Sequence, residues 1–351
     1  MTAIRFALRA SPDYPFTSIE APIKLDQNES GYDFPPELKQ LALEKMLTAN
    51  WNRYPDIHAN RLRKQVAARV GWQEDGIVLT PGSNVLIHAL AQAAGIGQRV
   101  LSVAPAFSLY GLSAQLLGAN LLEPRLNSDF SLPMQDLLFV LEQPTPGVAY
   151  LAVPHAPTGA MPSLQEIETL VARADKNWLL VLDEAYFEYS GRNHIALLEQ
   201  PNVCILRTFS KAWGLGGVRF GALLAQPDLV RQIQKVLSPF NVSLMIQCVI
   251  ETALEHPEYV QTRVQETLAE RARVFAALEP LKNWKVYPSA ANFHLIRTPN
   301  ATAAHAALLE CGILVRKQDS YAGLEGCIRV SIGTPAENDA FIAAALELET
   351  N

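Results

Sequence analysis

Lys211 stands in the stretch RTFSKAWGLGGVRFGALL, residues 207 to 224, between hydroxyl-bearing neighbours and a run of small and apolar residues. Lysine packs poorly, so an amine placed there is either a solvated charge or a nucleophile able to form a Schiff base with a carbonyl compound. Gly214, Gly216 and Gly217 behind it let the backbone approach a ligand, and Arg219 adds a second cation suited to a phosphate. Two other stretches carry related chemistry. In TPGSNVLIHAL, Gly82, Ser83 and Asn84 lie between an apolar run and a helix start, either as an ordinary cap or as a seat for an anion on open amides. In LLVLDEAYFEY, Asp183 ends an apolar run, where an ionised carboxylate needs a cation or several donors. It is a structural ion pair or cap, or it faces a protonated pyridine nitrogen, with Tyr186 in reach of a phenolic oxygen on the same ring.

Bringing these groups together requires a frame. From about residue 77 short apolar runs (GIVLT, RVLSVA, GVAYLAV, NWLLVLDEAY, NVCILRTF) alternate with amphipathic segments such as SNVLIHALAQAAG and LQEIETLVARAD. Leucine-rich and β-branched runs of this length suit strands buried on both faces, which predicts an α/β fold: a large domain whose mostly parallel sheet is clad by helices. Strands are expected at 77–80, 100–103, 148–153, 178–182 and 203–209. The distinctive loops all follow their carboxyl ends, where such sheets bind ligands. Asp183 and Lys211 follow successive strands, so both open into one crevice. After Pro227 the pattern changes to long helices and then short strands, which predicts a smaller α+β domain at the carboxyl end. The expected division is 1–50 as an arm and helix belonging with the small domain, 51–240 as the large domain, and 241–351 as an interdomain helix and the small domain. An anion seat, a carboxylate for a ring nitrogen, a Schiff-base lysine and an arginine for a phosphate together match one ligand, pyridoxal 5'-phosphate.

The order of the motifs carries a resemblance as well. IKLDQNESGYDFP, NRYPD, PGSN, PAFSLYG, PHAPTG, LDEAYFEY, RTFSKAWGLGGVRFG, ILVRKQ and CIRVSIGT cover essentially the whole chain, which resembles the fold-type I pyridoxal-phosphate aminotransferases and, within them, the branch acting on histidinol phosphate. The lysine segment is the most specific of these. The resemblance implies that Lys211 holds the cofactor covalently, that Asp183 and Tyr186 face its ring nitrogen and phenolic oxygen, and that Ser83, Asn84, Ser210 and Arg219 hold its phosphate. It implies that Tyr110 stacks on the ring, with Phe107 as second choice, and that Tyr54 reaches the cofactor of a neighbouring subunit in a homodimer with shared sites. Arg329 would receive an α-carboxylate. Arg316, aided by Tyr14 and Asn28, would receive the substrate's phosphate, with Asn292 lining the same pocket. The implied reaction passes an amino group from histidinol phosphate to 2-oxoglutarate. An aromatic amino acid aminotransferase, a threonine-phosphate decarboxylase and a non-catalytic cofactor-binding homologue are the other readings. The chain departs from the family pattern at Ala156, where an asparagine usually donates to the phenolic oxygen, and His155 is the adjacent candidate to replace that donor. Val85 stands where relatives often carry an acidic residue.

Composition narrows the remaining classes. The chain has 351 residues, 49% hydrophobic and 18% charged, with a formal charge of -6, which is globular and argues against a phosphate-backbone binder. The reading expects no nucleic-acid partner. No apolar run reaches membrane-spanning length and the first residues lack a signal-peptide pattern, so a cytoplasmic protein without a membrane partner is expected. Four cysteines without CxxC spacing read as reduced thiols, and seven histidines without HxH or HxxxH pairing give no expectation of a metal.

Overall fold

The computed structural model describes residues 3–13 and 18–350. Twelve strands are present among them: β1 (Ile23–Leu25), β2 (Ile77–Thr80), β3 (Arg99–Leu101), β4 (Asn120–Leu122), β5 (Gly147–Ala152), β6 (Trp178–Asp183), β7 (Val203–Thr208), β8 (Gly221–Ala225), β9 (Lys285–Val286), β10 (Phe293–Arg297), β11 (Ile313–Lys317) and β12 (Cys327–Ser331). Seven form one sheet in the order β2-β8-β7-β6-β5-β3-β4, and five form another in the order β1-β11-β12-β10-β9.

The large sheet is parallel except at β8, which runs antiparallel to both β2 and β7. Its centre is buried on both faces: every residue of β5, β6 and β7 is buried. Successive residues of β6 divide between two apolar layers, Leu180 and Leu182 facing one and Leu179 and Val181 the other, as the period of a strand requires. The helices around it carry local signals of their own. Ser163 and Glu166 form a reciprocal capping box at the start of the Leu164–Arg173 helix, and Asn300 caps the Ala301–Glu310 helix. A proline opens the Pro36–Thr48 helix, as its missing N–H allows.

β8 is the departure from a simple strand-helix alternation, and it has a physical reason. Residues 209–220 separate it from β7 with no helix among them, whereas a parallel crossover usually runs through a helix that packs on the sheet. The chain therefore folds straight back, and the returning loop carries Lys211 and Arg219. In the small sheet β1 pairs parallel with β11, while β11, β12, β10 and β9 run antiparallel in turn. Leu25, Val315, Ile328 and Val330 share its apolar layer, so the amino-terminal segment is a structural part of this sheet. No helix of the described residues is long and apolar enough to cross a membrane.

Candidate active site

The loops after β2, β5, β6 and β7 meet the ends of β11 and β12 around a cavity of about 430 Å³. Lys211 lies within it, its Nζ donating to the Gln27 carbonyl at 2.8 Å. Burial pulls its pKa down to about 8; Arg329 and Arg219 add to the shift, while Glu29 and Asp183 oppose it. Asp183 ends β6 and is 6% exposed. The Tyr110 hydroxyl donates to Asp183 Oδ2 at 2.7 Å and the Ala185 amide donates to Oδ1 at 3.2 Å. Burial raises the Asp183 pKa, and these two donors resist the shift. The Tyr186 hydroxyl accepts from Asn28 Nδ2 at 2.9 Å, and its ring lies 5.9 Å from the Lys211 amine. One amine, one carboxylate and one phenol thus share a wall of the cavity.

The second wall is built for an anion. Gly82, not Ser83 or Asn84, is the cap residue of the Ser83–Ala94 helix, and no side chain caps it, so the first helical amides are not taken up by a cap. Gly82 has φ +87°, and a Cβ there would come within 2.6 Å of the Arg219 guanidinium. Arg219 itself sits at φ +60°, a strained setting for a residue with a side chain. Its Nη1 donates to Ser210 Oγ at 3.2 Å and to the Gly216 carbonyl at 3.0 Å. A Cβ on Gly221 would strike the Ser83 amide at 2.5 Å, so the return strand β8 can lie against the helix start only with glycine at that point. Together these residues bring open helix amides, a hydroxyl and a guanidinium to one side of the cavity, the donors that an anion would take.

At the far end Arg316 and Arg329 are register partners on β11 and β12, and both line the cavity. Arg329 Nη2 donates to the Asp26 carbonyl at 2.7 Å, and burial, with Arg316 adding, lowers its pKa. Asn28 is buried, its amide nitrogen donating to Ser331 Oγ at 2.8 Å. Tyr54 is 83% exposed and stacks on Phe240 at 4.8 Å, away from this chain's own cavity. Tyr14 lies outside the described residues.

Three expectations meet a different geometry. Tyr110 is only 1% exposed, and its ring lies parallel to Tyr150 at 4.9 Å: it borders the cavity from within the core layer, its hydroxyl bound to Asp183. Phe107, half-buried, is a second aromatic ring that lines the cavity. Asn292 stands behind the wall, donating to the Asn28 carbonyl at 3.0 Å: it braces the segment that lines the pocket. His155 does not take the place of a donor at Ala156. Its Nδ1 pairs with Thr158 Oγ1 at 2.8 Å, the ring is buried, and only Ala156 borders the cavity.

Other contributors were not legible in the sequence. Gln27 acts through its backbone carbonyl, which any residue carries. Asp26, Glu29, Gln318 and Tyr321 join the lining through the pairing of β1 with β11. Beneath the site Glu184 pairs with Arg207 at 2.6 Å and with His194 at 2.6 Å, all three buried; the DE pair of LDEAY signals a second acid but not its partners.

The residues present fit the group that the sequence points to. A buried amine, a buried carboxylate in the same cavity, and an arginine-backed group of donors shaped by Gly82 are the partners that pyridoxal 5'-phosphate needs at its aldehyde, ring nitrogen and phosphate. Comparison with known proteins agrees. A family model described as aminotransferase class I and II matches residues 20–344. The histidinol-phosphate aminotransferase of Deinococcus radiodurans is 52% identical over 349 residues, covering 99% of this chain and 97% of its own. That of Aquifex aeolicus is 36% identical, over 93% of this chain and 92% of its own. The crystal structure of the Sinorhizobium meliloti histidinol-phosphate aminotransferase in complex with pyridoxal-5'-phosphate matches with a TM-score of 0.86 at 25% identity, over 94% of this chain and 92% of that one.

Proposed function

The chain belongs to the aminotransferase class I and II family, and from that premise we propose that it transfers the amino group of histidinol phosphate to 2-oxoglutarate. Its cofactor is pyridoxal 5'-phosphate, which when bound supplies an aldehyde that takes the amine and a ring that accepts the electron pair left at Cα. The protein's part follows from its own residues. Lys211, with its amine held to about 8, is neutral often enough near physiological pH to act as a nucleophile and then to move a proton to and from the substrate's Cα. Asp183 holds a proton at the ring nitrogen, and the Tyr186 hydroxyl, steadied by Asn28, serves the phenolic oxygen. Arg219, Ser210 and the amides at Ser83 and Asn84 grip the cofactor's phosphate, and Phe107 covers the ring.

Arg316 and Arg329, side by side on β11 and β12, bind the anionic end of each substrate: the phosphate of histidinol phosphate in one half-reaction, the α-carboxylate of the oxo acid in the other. The near full-length similarity to the Deinococcus radiodurans enzyme carries the choice of amino donor. We further propose a homodimer, in which a second copy covers the exposed Tyr54 and Phe240 pair, and a division of each chain near residues 50 and 240 that follows the two sheets. A cytoplasmic location suits this activity.

The test is spectroscopic. Purified holoprotein is mixed in turn with histidinol phosphate, phenylalanine and threonine phosphate, and loss of the aldehyde form's absorbance is followed. Histidinol phosphate should convert the cofactor fastest, and 2-oxoglutarate should restore the starting spectrum. A faster conversion with phenylalanine would move the assignment to an aromatic amino acid aminotransferase, and carbon dioxide release with threonine phosphate would move it to a decarboxylase.

A further inference from the structure

Tyr110 has no place among the groups that touch substrate in the reading above, yet it is tied to one that matters. It lies on the Ser108–Leu117 helix inside an apolar layer made with Val78, Leu86, Val148 and Val181. A phenylalanine would fill the same space. The hydroxyl's partner is Asp183 Oδ2, at 2.7 Å. Two neighbours fix the ring: Tyr150 lies parallel to it at 4.9 Å and 5°, and Phe107 meets it edge-on at 5.7 Å and 88°; the Tyr150 hydroxyl in turn donates to the Ile87 carbonyl at 2.8 Å. Ile87 belongs to the helix that begins at Ser83, so the same stack ties the carboxylate to the phosphate seat.

From this geometry, and resting on the proposed cofactor chemistry, we propose that Tyr110 is a positioning residue that acts through Asp183: its hydroxyl fixes the carboxylate in the orientation and anionic state that the cofactor's ring nitrogen requires. Two observations favour this over plain packing. The bond is short and runs between buried groups at the cavity wall, where a donor to a charged acceptor counts most. Burial and the neighbouring carboxylate also push the Tyr110 phenol well above its ordinary range, so it remains a donor at every pH at which the protein works.

The discriminating experiment pairs Tyr110→Phe with two cofactors, pyridoxal 5'-phosphate and its 1-deaza analogue, in which carbon replaces the ring nitrogen. Dissociation constants are measured by titrating apoprotein and following absorbance, with no turnover required. Wild-type protein should prefer the natural cofactor. Tyr110→Phe should weaken the natural cofactor by about ten-fold or more while leaving the analogue nearly unchanged, because only the natural ring meets Asp183. Loss of the natural cofactor on acidification should also begin at a higher pH in the variant, since Asp183 without its donor protonates more readily. Tyr150→Phe, which removes a hydroxyl from the same stack without touching Asp183, should affect the two cofactors equally and leave the pH of cofactor loss unmoved. Equal weakening of both cofactors, or no weakening of either, would overturn the role assigned to Tyr110. Failure of wild-type protein to bind pyridoxal 5'-phosphate at all would instead strike the functional reading beneath it.

Discussion

At residue 156 the cavity wall offers a methyl group, and in the proposed reading a hydrogen-bond donor there would stabilise negative charge on the cofactor's phenolic oxygen. A donor to a charged acceptor is worth roughly 1.5–3 kcal/mol, and it favours the more negative, deprotonated form of the Lys211–cofactor linkage. Ala156→Asn is therefore expected to lower the pH of the holoprotein's colour change by about one unit, read from a spectral pH titration; an unmoved titration would show that the added amide does not reach the ring. Its neighbour His155 titrates for a different reason. Burial drives its pKa down to about 4 in the folded chain, so between pH 6.5 and 4 the unfolded chain binds more protons and folding loses stability as pH falls. The slope is at most about 1.4 kcal/mol per pH unit. Glu188, raised by burial to about 7, works in the opposite sense above pH 4.5, so the His155 contribution has to be read as a difference. Denaturant melts of wild type and His155→Gln should converge as pH falls from 6.5 to 4, the wild type losing ground; parallel curves would contradict a neutral buried imidazole.

The elements explain why the chemistry was legible where it was. Asp183 ends β6, Ser83 starts a helix, and Lys211 and Arg219 lie in the loop that follows β7, and apolar runs followed by small polar residues announce such places. Tyr110 misled for a related reason: the sequence PAFSLYG holds two aromatic residues three apart, and only the helix start at Ser108 decides which of them faces inward. Asn292 and Gln27 work through contacts between segments over 180 residues apart, set by the small sheet and the arm, and no local pattern encodes these. The β11–β12 ladder carries a prediction at this scale. Because it places Arg316 directly opposite Arg329, Arg316→Gln should raise the KM for histidinol phosphate by about 10-fold to 100-fold with little change in kcat, while the KM for 2-oxoglutarate moves less. Equal effects on both substrates would mean that the two guanidiniums form one undivided anion site.

For the whole molecule, the sequence indicated a large mostly parallel sheet and a smaller α+β unit, and both are present. It did not indicate the reversal at β8, because GALL reads equally well as a parallel strand; the helix-free connection from β7 favours the return. The proposed dimer makes a prediction of its own. Tyr54 points away from its own cavity, so a site shared between copies takes Lys211 from one chain and Tyr54 from the other. Mixing inactive Lys211→Ala protein with weakened Tyr54→Ala protein, under conditions that exchange subunits, should create one intact site per hybrid dimer. Activity should then rise above the sum of the two samples. Strict additivity in a sample shown to have exchanged would place Tyr54 outside any shared site.

The account turns on the chemistry of Lys211. Protein purified with pyridoxal 5'-phosphate is reduced with borohydride, digested, and the peptide containing residues 207–224 is weighed by mass spectrometry. A mass increment of one reduced cofactor on Lys211, absent in Lys211→Ala and prevented by prior exposure to histidinol phosphate, is the predicted result; an unmodified Lys211 in protein that holds the cofactor would contradict it.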